Sequence, residues 1–389
     1  MRGLDWFIFF LADVQTGFGP FIAVYLTSQK WTQVDIGLVL SIGALTSLIA
    51  QIPGGWIVDA AKSERLVAAL ALVAISASAL AYAFLPMFPV VLSAALLHAI
   101  ASCVLGPCVA AISLGLVGHA GMARRLGRNA RFASVGNGLA AAFMGAIGYA
   151  FSPHAVFIVT AVLLLPTLAA LSRIQPVDID PDRAHGETPE PEHRHAHMRA
   201  VLGKSSLFIL AGCVMLFHLA NSALLPLMGS AVTARSSQWA TLLIAACIVV
   251  PQAVVAVISP WIGRRAQVWG RRPFVLAAFA ALALRALLLA VVQRPELLVL
   301  VQALDGITAA SLGVMVPLMI ADITRGTGRF NLSQGFVGAA IGIGATISPT
   351  LAGYLADRFN ATAAFAGLGC VAALALLFAW RFLPETKPR

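Results

Sequence analysis

The sequence predicts an all-α integral membrane protein of twelve transmembrane helices, arranged as two pseudo-symmetric six-helix bundles. Three observations carry that expectation. Apolar runs of about twenty residues recur along nearly the whole chain, the length a helix needs to cross a hydrocarbon core about 30 Å thick. Only 11% of the 389 residues are charged and 60% are hydrophobic, whereas about a quarter of the residues of an ordinary soluble domain are charged. The basic residues fall almost entirely in alternate loops, as expected of a chain that crosses a bilayer back and forth. The runs are rich in Ala, Leu, Gly and Val without strict alternation, which fits helices better than barrel strands.

Taken in order, the expected spans of the first half are 6–27, 35–58, 66–85, 88–117, 131–151 and 154–173. The first is too long for the apolar core of a signal peptide and lacks a small-residue cleavage site. A polar stretch over 174–203 carries Pro, Asp, Glu and His without apolar periodicity and reads as a flexible cytoplasmic linker. The second half gives spans at 205–229, 239–262, 273–292, 296–322, 332–355 and 361–383. The domains are therefore 1–173, a linker 174–203, and 204–389.

With both termini placed in the cytoplasm, inner loops and ends hold Arg2, Lys62, Arg65, Arg124, Arg125, Arg128, Arg264, Arg265, Arg271, Arg272, Arg325, Arg329 and Lys387. The outer loops hold only Lys30, Arg235, Arg294 and Arg358. This bias sets the expected orientation in a bacterial-type inner membrane. It also accounts for the net charge of +10, so nucleic acid is not an expected partner. The five cysteines all lie in apolar runs without metal-ligand spacing, which makes them packing residues rather than a disulfide framework.

The halves repeat at a spacing of about 200 residues. Gly127, Arg128 and Asn129 before the fifth span echo Gly328, Arg329, Phe330 and Asn331 before the eleventh. The second and eighth spans end alike, at Pro53, Gly54 and Gly55 and at Pro260 to Gly263. The fourth and tenth each carry a late proline, Pro107 and Pro317.

These features together resemble the major facilitator superfamily, over essentially the whole chain. The most specific element follows the second span, where Gly55, Asp59, Lys62 and Arg65 resemble the family's Gly-x-x-x-Asp-Arg-x-Gly-Arg-Arg signature, with Ala60 and Lys62 in place of its first arginine and second glycine. The second copy keeps Gly263, Gly270, Arg271 and Arg272 but has Gln267 in place of the acid. The resemblance implies solute transport by alternating access. It also implies that Asp59 is a gating residue that caps a neighbouring helix and pairs with basic groups; the alternative for Asp59 is a solvated loop charge. A monomer is implied as well.

Ionisable groups at bilayer depth are costly and therefore informative. Asp13 in the first span is the leading candidate for a protonation or substrate site, beside Gln15 and the helix-bending Gly17, Gly19 and Pro20; the alternative is a structural hydrogen bond. His98, His218 and Asn221 are further candidates, as is Asn137, which can equally serve helix packing. Arg285 stands about eight residues before the short ninth-to-tenth connection and Asp305 about ten after it. At 1.5 Å per residue they reach similar depth on antiparallel neighbours, so an intramembrane ion pair is expected. Asp322 is expected to pair with Arg271 or Arg272 as a second latch, against the alternative that these arginines anchor lipid headgroups. The linker histidines His185, His193, His195 and His197 are read as solvated, with no metal site and no cofactor.

No nucleophile–base set, paired carboxylates, phosphate loop or His-Glu-x-x-His stretch points to an enzyme. The expected function is a secondary carrier of a small solute, proton-coupled, with drug or metabolite export leading and import or uniport of a metabolite as the runner-up. A transporter-like sensor is the alternative of another class. A multiply charged anion is disfavoured, since it would want unpaired Arg or Lys in the cavity.

Overall fold

In hydrocarbon every backbone N–H and C=O must be satisfied within its own segment, and the described apolar runs are accordingly helical. The computed structural model describes residues 2–16, 22, 25–26, 29–31, 33–185, 204–233, 237–292 and 294–387. The first half forms α1 (Arg2–Thr16), α2 (Gln33–Ala60), α3 (Glu64–Phe84), α4 (Phe88–Ala150), α5 (Pro153–Val162) and α6 (Leu164–Ser172). After a 3₁₀ turn at Pro176–Asp178 comes the single-turn α7 (Pro181–Ala184). The second half forms α8 (Ser205–Asn221), α9 (Leu224–Thr233), α10 (Ser237–Trp269), α11 (Arg272–Val291), α12 (Pro295–Val301), α13 (Ala303–Thr324), α14 (Phe330–Arg358) and α15 (Ala361–Phe382).

Ten described stretches are long and apolar enough to span a membrane. One of them runs within α4, which bends at Gly118 (φ 62°, ψ 179°) and so supplies two spans; α1 is described only to Thr16. The twelve-helix arrangement is recovered on that basis. The expected bends at Gly17, Gly19 and Pro20 and the residues His193, His195, His197 and Arg235 lie outside the described residues.

Several boundaries differ from the expectation, for physical reasons. Residues 119–130, expected as a loop, are helical in the second rod of α4, and α10 runs on to Trp269 rather than stopping near 262. Hydropathy marks where the bilayer ends, whereas the hydrogen-bond ladder continues beyond it. The sixth span is two helices, broken one turn before Pro166, and the seventh is broken just before Leu224, one turn ahead of Pro226. Proline removes a donor and clashes with the carbonyl four residues back. Ser63, Ser152 and Asn360 cap α3, α5 and α15, accepting from Leu66, Ala155 and Ala363 N–H at 3.3, 3.3 and 2.8 Å, as N-cap chemistry favours.

The chain divides into two compact units. The first gathers Met1–Ala120, Phe132–Arg194 and Gly326–Gly335; the second gathers Gly121–Arg131, His195–Arg325 and Phe336–Arg389. In the first, α3 packs on α5 and α6, and α1 on α6, around Leu4, Phe7, Leu72, Ile75, Tyr82 and Phe157. In the second, α11 packs on α15 and α13, and α10 on α13. Many large apolar side chains point outward, among them Ile49, Leu66, Leu70, Leu287 and Leu374. Such faces would be costly in water and are at home in lipid.

Candidate functional site

In the first unit Asp13 lies on α1 amid buried Leu11, Ala12 and Val14 and is 6% exposed. Its Oδ1 has no hydrogen-bond partner among the described residues. The second rod of α4 comes close here. A Cβ at Gly136 would collide with the Phe9 carbonyl and press on Ala12 at 3.3 Å, so glycine permits the approach and sets Asn137 one residue further on. His98, in the first rod of α4, shares a hydrogen bond of 3.3 Å with Ser102 Oγ. Gln15 is helical, but its side chain is outside the described residues.

At one end of the same unit Asp59 closes α2. Its Oδ1 accepts from the Asn331 backbone N–H at 3.2 Å and from Asn331 Nδ2 at 2.8 Å, and its Oδ2 from the Leu332 N–H at 2.8 Å. A carboxylate thus caps the first turn of α14, where backbone donors are orphaned and the helix dipole is positive. The contact is possible because Gly55 and Gly335 lack side chains: a Cβ at either would strike the Asn331 or Gln51 carbonyl.

The basic partner of Asp59 is not in its own loop. Arg65 makes no ion pair with Asp59 among the described residues, and its Nε is buried without a partner. The partner is His185, in the described first part of the linker. Its Nδ1 stands 3.8 Å from Asp59 Oδ1 and its Nε2 3.4 Å from Glu64 Oε1. His185 is therefore not the solvated linker residue expected, and the linker is folded at its start. Ile174, Ile179 and Ala184 are buried there, with the Asp180 N–H bonded to the Gly115 carbonyl at 3.2 Å. Those apolar positions are too few and irregular to register as a helical period. The Asp59 carboxylate facing Nδ1, which makes no hydrogen bond among the described residues, raises the His185 pKa above its usual 6.5; burial opposes this, and the charges of Glu64 and Asp182 reinforce it.

In the second unit the expected Arg285–Asp305 pair is present, Nη1 to Oδ1 at 2.5 Å. Arg285 Nη1 also donates to Asn221 Oδ1 and Nη2 to Gln302 Oε1, each at 2.7 Å. Gln302 Nε2 reaches Met228 Sδ at 3.1 Å. The Arg285 side chain is 1% exposed and that of Asp305 26%, so the base is sealed while the acid remains reachable. Gln302 was missed in the sequence, although it lies one turn from Asp305 and so on the same face. His218 sits one turn before Asn221, its ring edge-on to Phe217 at 5.4 Å.

At one end of this unit the second signature copy takes a different form. A Cβ at Gly263 would strike the Ala123 carbonyl, and one at Gly127 the Ser259 carbonyl, repeating the close approach seen at Gly55. Asn129, the repeat counterpart of Asn331, is held by Arg125 Nε at 2.6 Å. Arg271, rather than Arg272, pairs with Asp322, at 2.9 Å. Gly270 turns the chain at φ 89°. Beyond it Glu385 accepts from the Arg271 and Arg272 backbone N–H groups at 2.9–3.1 Å, and Arg272 Nη2 donates to the Trp380 carbonyl. Lys204, Asp322, Glu385 and Thr386 line a polar hollow of about 390 Å³ here. No group of three or more His, Cys, Asp or Glu able to hold a metal occurs among the described residues.

Repeated helical halves, buried carboxyls on spans and glycine-lined helix ends define a membrane carrier of the major facilitator type. The chain belongs to the MFS_1 like family, which it matches over residues 2–366, and it is an MFS-type transporter and a multi-pass membrane protein. It is 38% identical over 392 residues to an uncharacterized MFS-type transporter of Mycobacterium tuberculosis, covering 99% of this chain and 93% of that protein. It is 31% identical over 133 residues to the class B tetracycline resistance protein of Escherichia coli, 34% of this chain and 33% of that one. Its fold is similar to that of the E. coli fucose:proton symporter, with a TM-score of 0.76 at 16% identity over 98% of both chains.

Proposed function

We propose that the protein is a proton-coupled exporter of a small, amphipathic, drug-like solute, working by alternating access as a monomer in a bacterial inner membrane with both termini in the cytoplasm. Asp13 carries the proton coupling in this reading. A carboxyl buried on a span, with an oxygen that no group among the described residues satisfies, changes its proton occupancy with its surroundings, because a lone charge there costs several kcal/mol. Asp305 is the second coupling group: it is partly exposed, and its neutralisation would leave the sealed Arg285 without a counter-charge. The same pairing argues against a multiply charged anion, since Arg285 is already engaged. The relatives named for tetracycline and chloramphenicol resistance, each matched over about a third of this chain, support a drug-like solute. Asp59 acts as a latch on α14 that must release during the cycle.

Purified protein in liposomes with an imposed pH gradient tests this. Gradient-driven movement of tetracycline or another amphipathic solute is expected, and Asp13→Asn should abolish the dependence on the gradient while leaving the protein folded. Wild-type liposomes that move neither solute nor protons would sink the reading. Accumulation only in the direction of uptake would reassign the protein as an importer.

A further inference from the structure

We infer that His185 is the cationic element of the Asp59 latch and makes it sensitive to pH: a linker strap, residues 176–185, fastens the start of α14 when His185 is protonated and frees it when His185 is neutral. The inference rests on reading Asp59 as a latch.

Four observations meet at this point. The residue after Asp59 is Ala60, and Lys62 and Arg65 form no ion pair with Asp59 among the described residues. The imidazole is placed with one nitrogen toward each of two carboxylates, Asp59 from α2 and Glu64 from α3. Those acids are nearly sealed, with side-chain exposures of 1% and 8% against 17% for the ring. Finally, the backbone on either side of the ring grips the same helix start as Asp59 does. The Phe330 N–H donates to the His185 carbonyl at 3.4 Å, and Asn331 Nδ2 reaches the Ala184 carbonyl at 3.5 Å.

Only a doubly protonated imidazole can donate to both acids at once; a neutral ring has one donor and turns a lone pair toward the other carboxylate. Two acids at one sealed helix junction repel each other unless a positive charge stands between them. The remaining charges nearby do not take that role. Asp182 adds negative charge, and Arg183 is occupied with Asp180 at 3.2 Å. Arg329, in the loop leading into α14, forms no ion pair with Asp59 or Glu64 among the described residues.

The sign follows from the raised pKa of His185. The fastening is complete below the ordinary histidine value of 6.5 and is lost as pH rises through the higher value in the folded protein. On the face that the arginine bias assigns to the cytoplasm, acid holds the latch and alkali frees it. In a carrier that admits protons to the cytoplasm, its own turnover would then tighten the strap.

Hydrogen–deuterium exchange on the full-length protein in lipid nanodiscs, without added solute, tests this over about pH 6–9. Rates of peptides covering 326–335 and 176–185 are corrected for intrinsic exchange. Wild type should lose protection at both peptides by roughly three- to tenfold as pH rises. His185→Gln should be weakly protected and flat with pH, and His185→Arg protected and flat. A wild-type profile that is itself flat, or a His185→Gln profile that overlays wild type, overturns the proposal. Peptides around Phe157 report whether each variant is folded, and should either variant fail to fold the wild-type profile still decides. Because no solute is read, failure here leaves the transport reading intact, and a carrier that moves no test solute leaves this one intact.

Discussion

Arg285 and Glu385 show how single side chains hold the second half together by opposite means. Arg285 is a sealed charge whose hydrogen bonds go to Asp305, Asn221 and Gln302. Removing one partner of such a pair strands the other, at a cost of about 3–5 kcal/mol. Asp305→Asn should therefore unfold at markedly lower temperature, and adding Arg285→Gln should recover much of the loss. Equal stability of wild type and Asp305→Asn would mean the pair is not structural. Glu385 lies outside the spans. Burial works to raise its pKa, but the backbone N–H groups of Arg271, Lys387 and Arg272 and the Arg271 charge outweigh it, holding the carboxyl below its usual 4.5. Its contribution is thus present above that value and disappears as pH falls through the lower, folded one. Glu385→Gln should cost roughly 1 kcal/mol at pH 7, discounted for its exposed flank. Melting curves of the two proteins should converge near about pH 4 or below.

Among elements, the helix ends where glycine replaces a side chain matter most. Gly55 on α2 lies against the Asn331 carbonyl, and Gly335 on α14 lies against that of Gln51. Alanine at either position must push the helices apart, and overpacking of this kind costs about 1–3 kcal/mol. A Cβ at Gly353, also on α14, would meet nothing within 4 Å among the described residues, and Gly353→Ala should stay within about 0.5 kcal/mol of wild type. Thermal unfolding of the three variants checks this ranking; equal effects would deny the close approach its role. The resemblance to a known signature made Gly55 and Asp59 legible in the sequence, and antiparallel depth made Arg285 and Asp305 so. Gln302, His185 and Glu385 were not legible. Gln302 shares a face with Asp305 but carries no charge to single it out, and the partners of His185 and Glu385 lie across turns and tails, where no periodicity links the two residues.

For the whole molecule, the basic residues make a topological prediction. In a background lacking Cys370, the exposed cysteine, single cysteines at positions 294 and 358 should react with a membrane-impermeant thiol reagent in intact cells. Cysteines at 264 and 387 should react only after permeabilisation. The reverse pattern would invert the orientation that the arginine bias implies. At this scale too, the exchange of segments between units is notable. Residues 326–335 fold with the first half and 121–131 with the second, so the sequence repeat near Gly127 and Gly328 marks the two places where the chain leaves the unit of its own half.

The sequence by itself determined the apolar spans, their division into two repeated halves and the intramembrane ion pair. Each of these depends on local hydropathy or on the fixed rise of a helix. Only the tertiary structure decided that Asp59 caps α14 with His185 at its side, that the linker begins as a folded strap, and that Glu385 closes the start of α11. Those contacts join backbone amides and side chains distant along the chain. Their energies come from geometry at a helix end, which no pattern of residue types records.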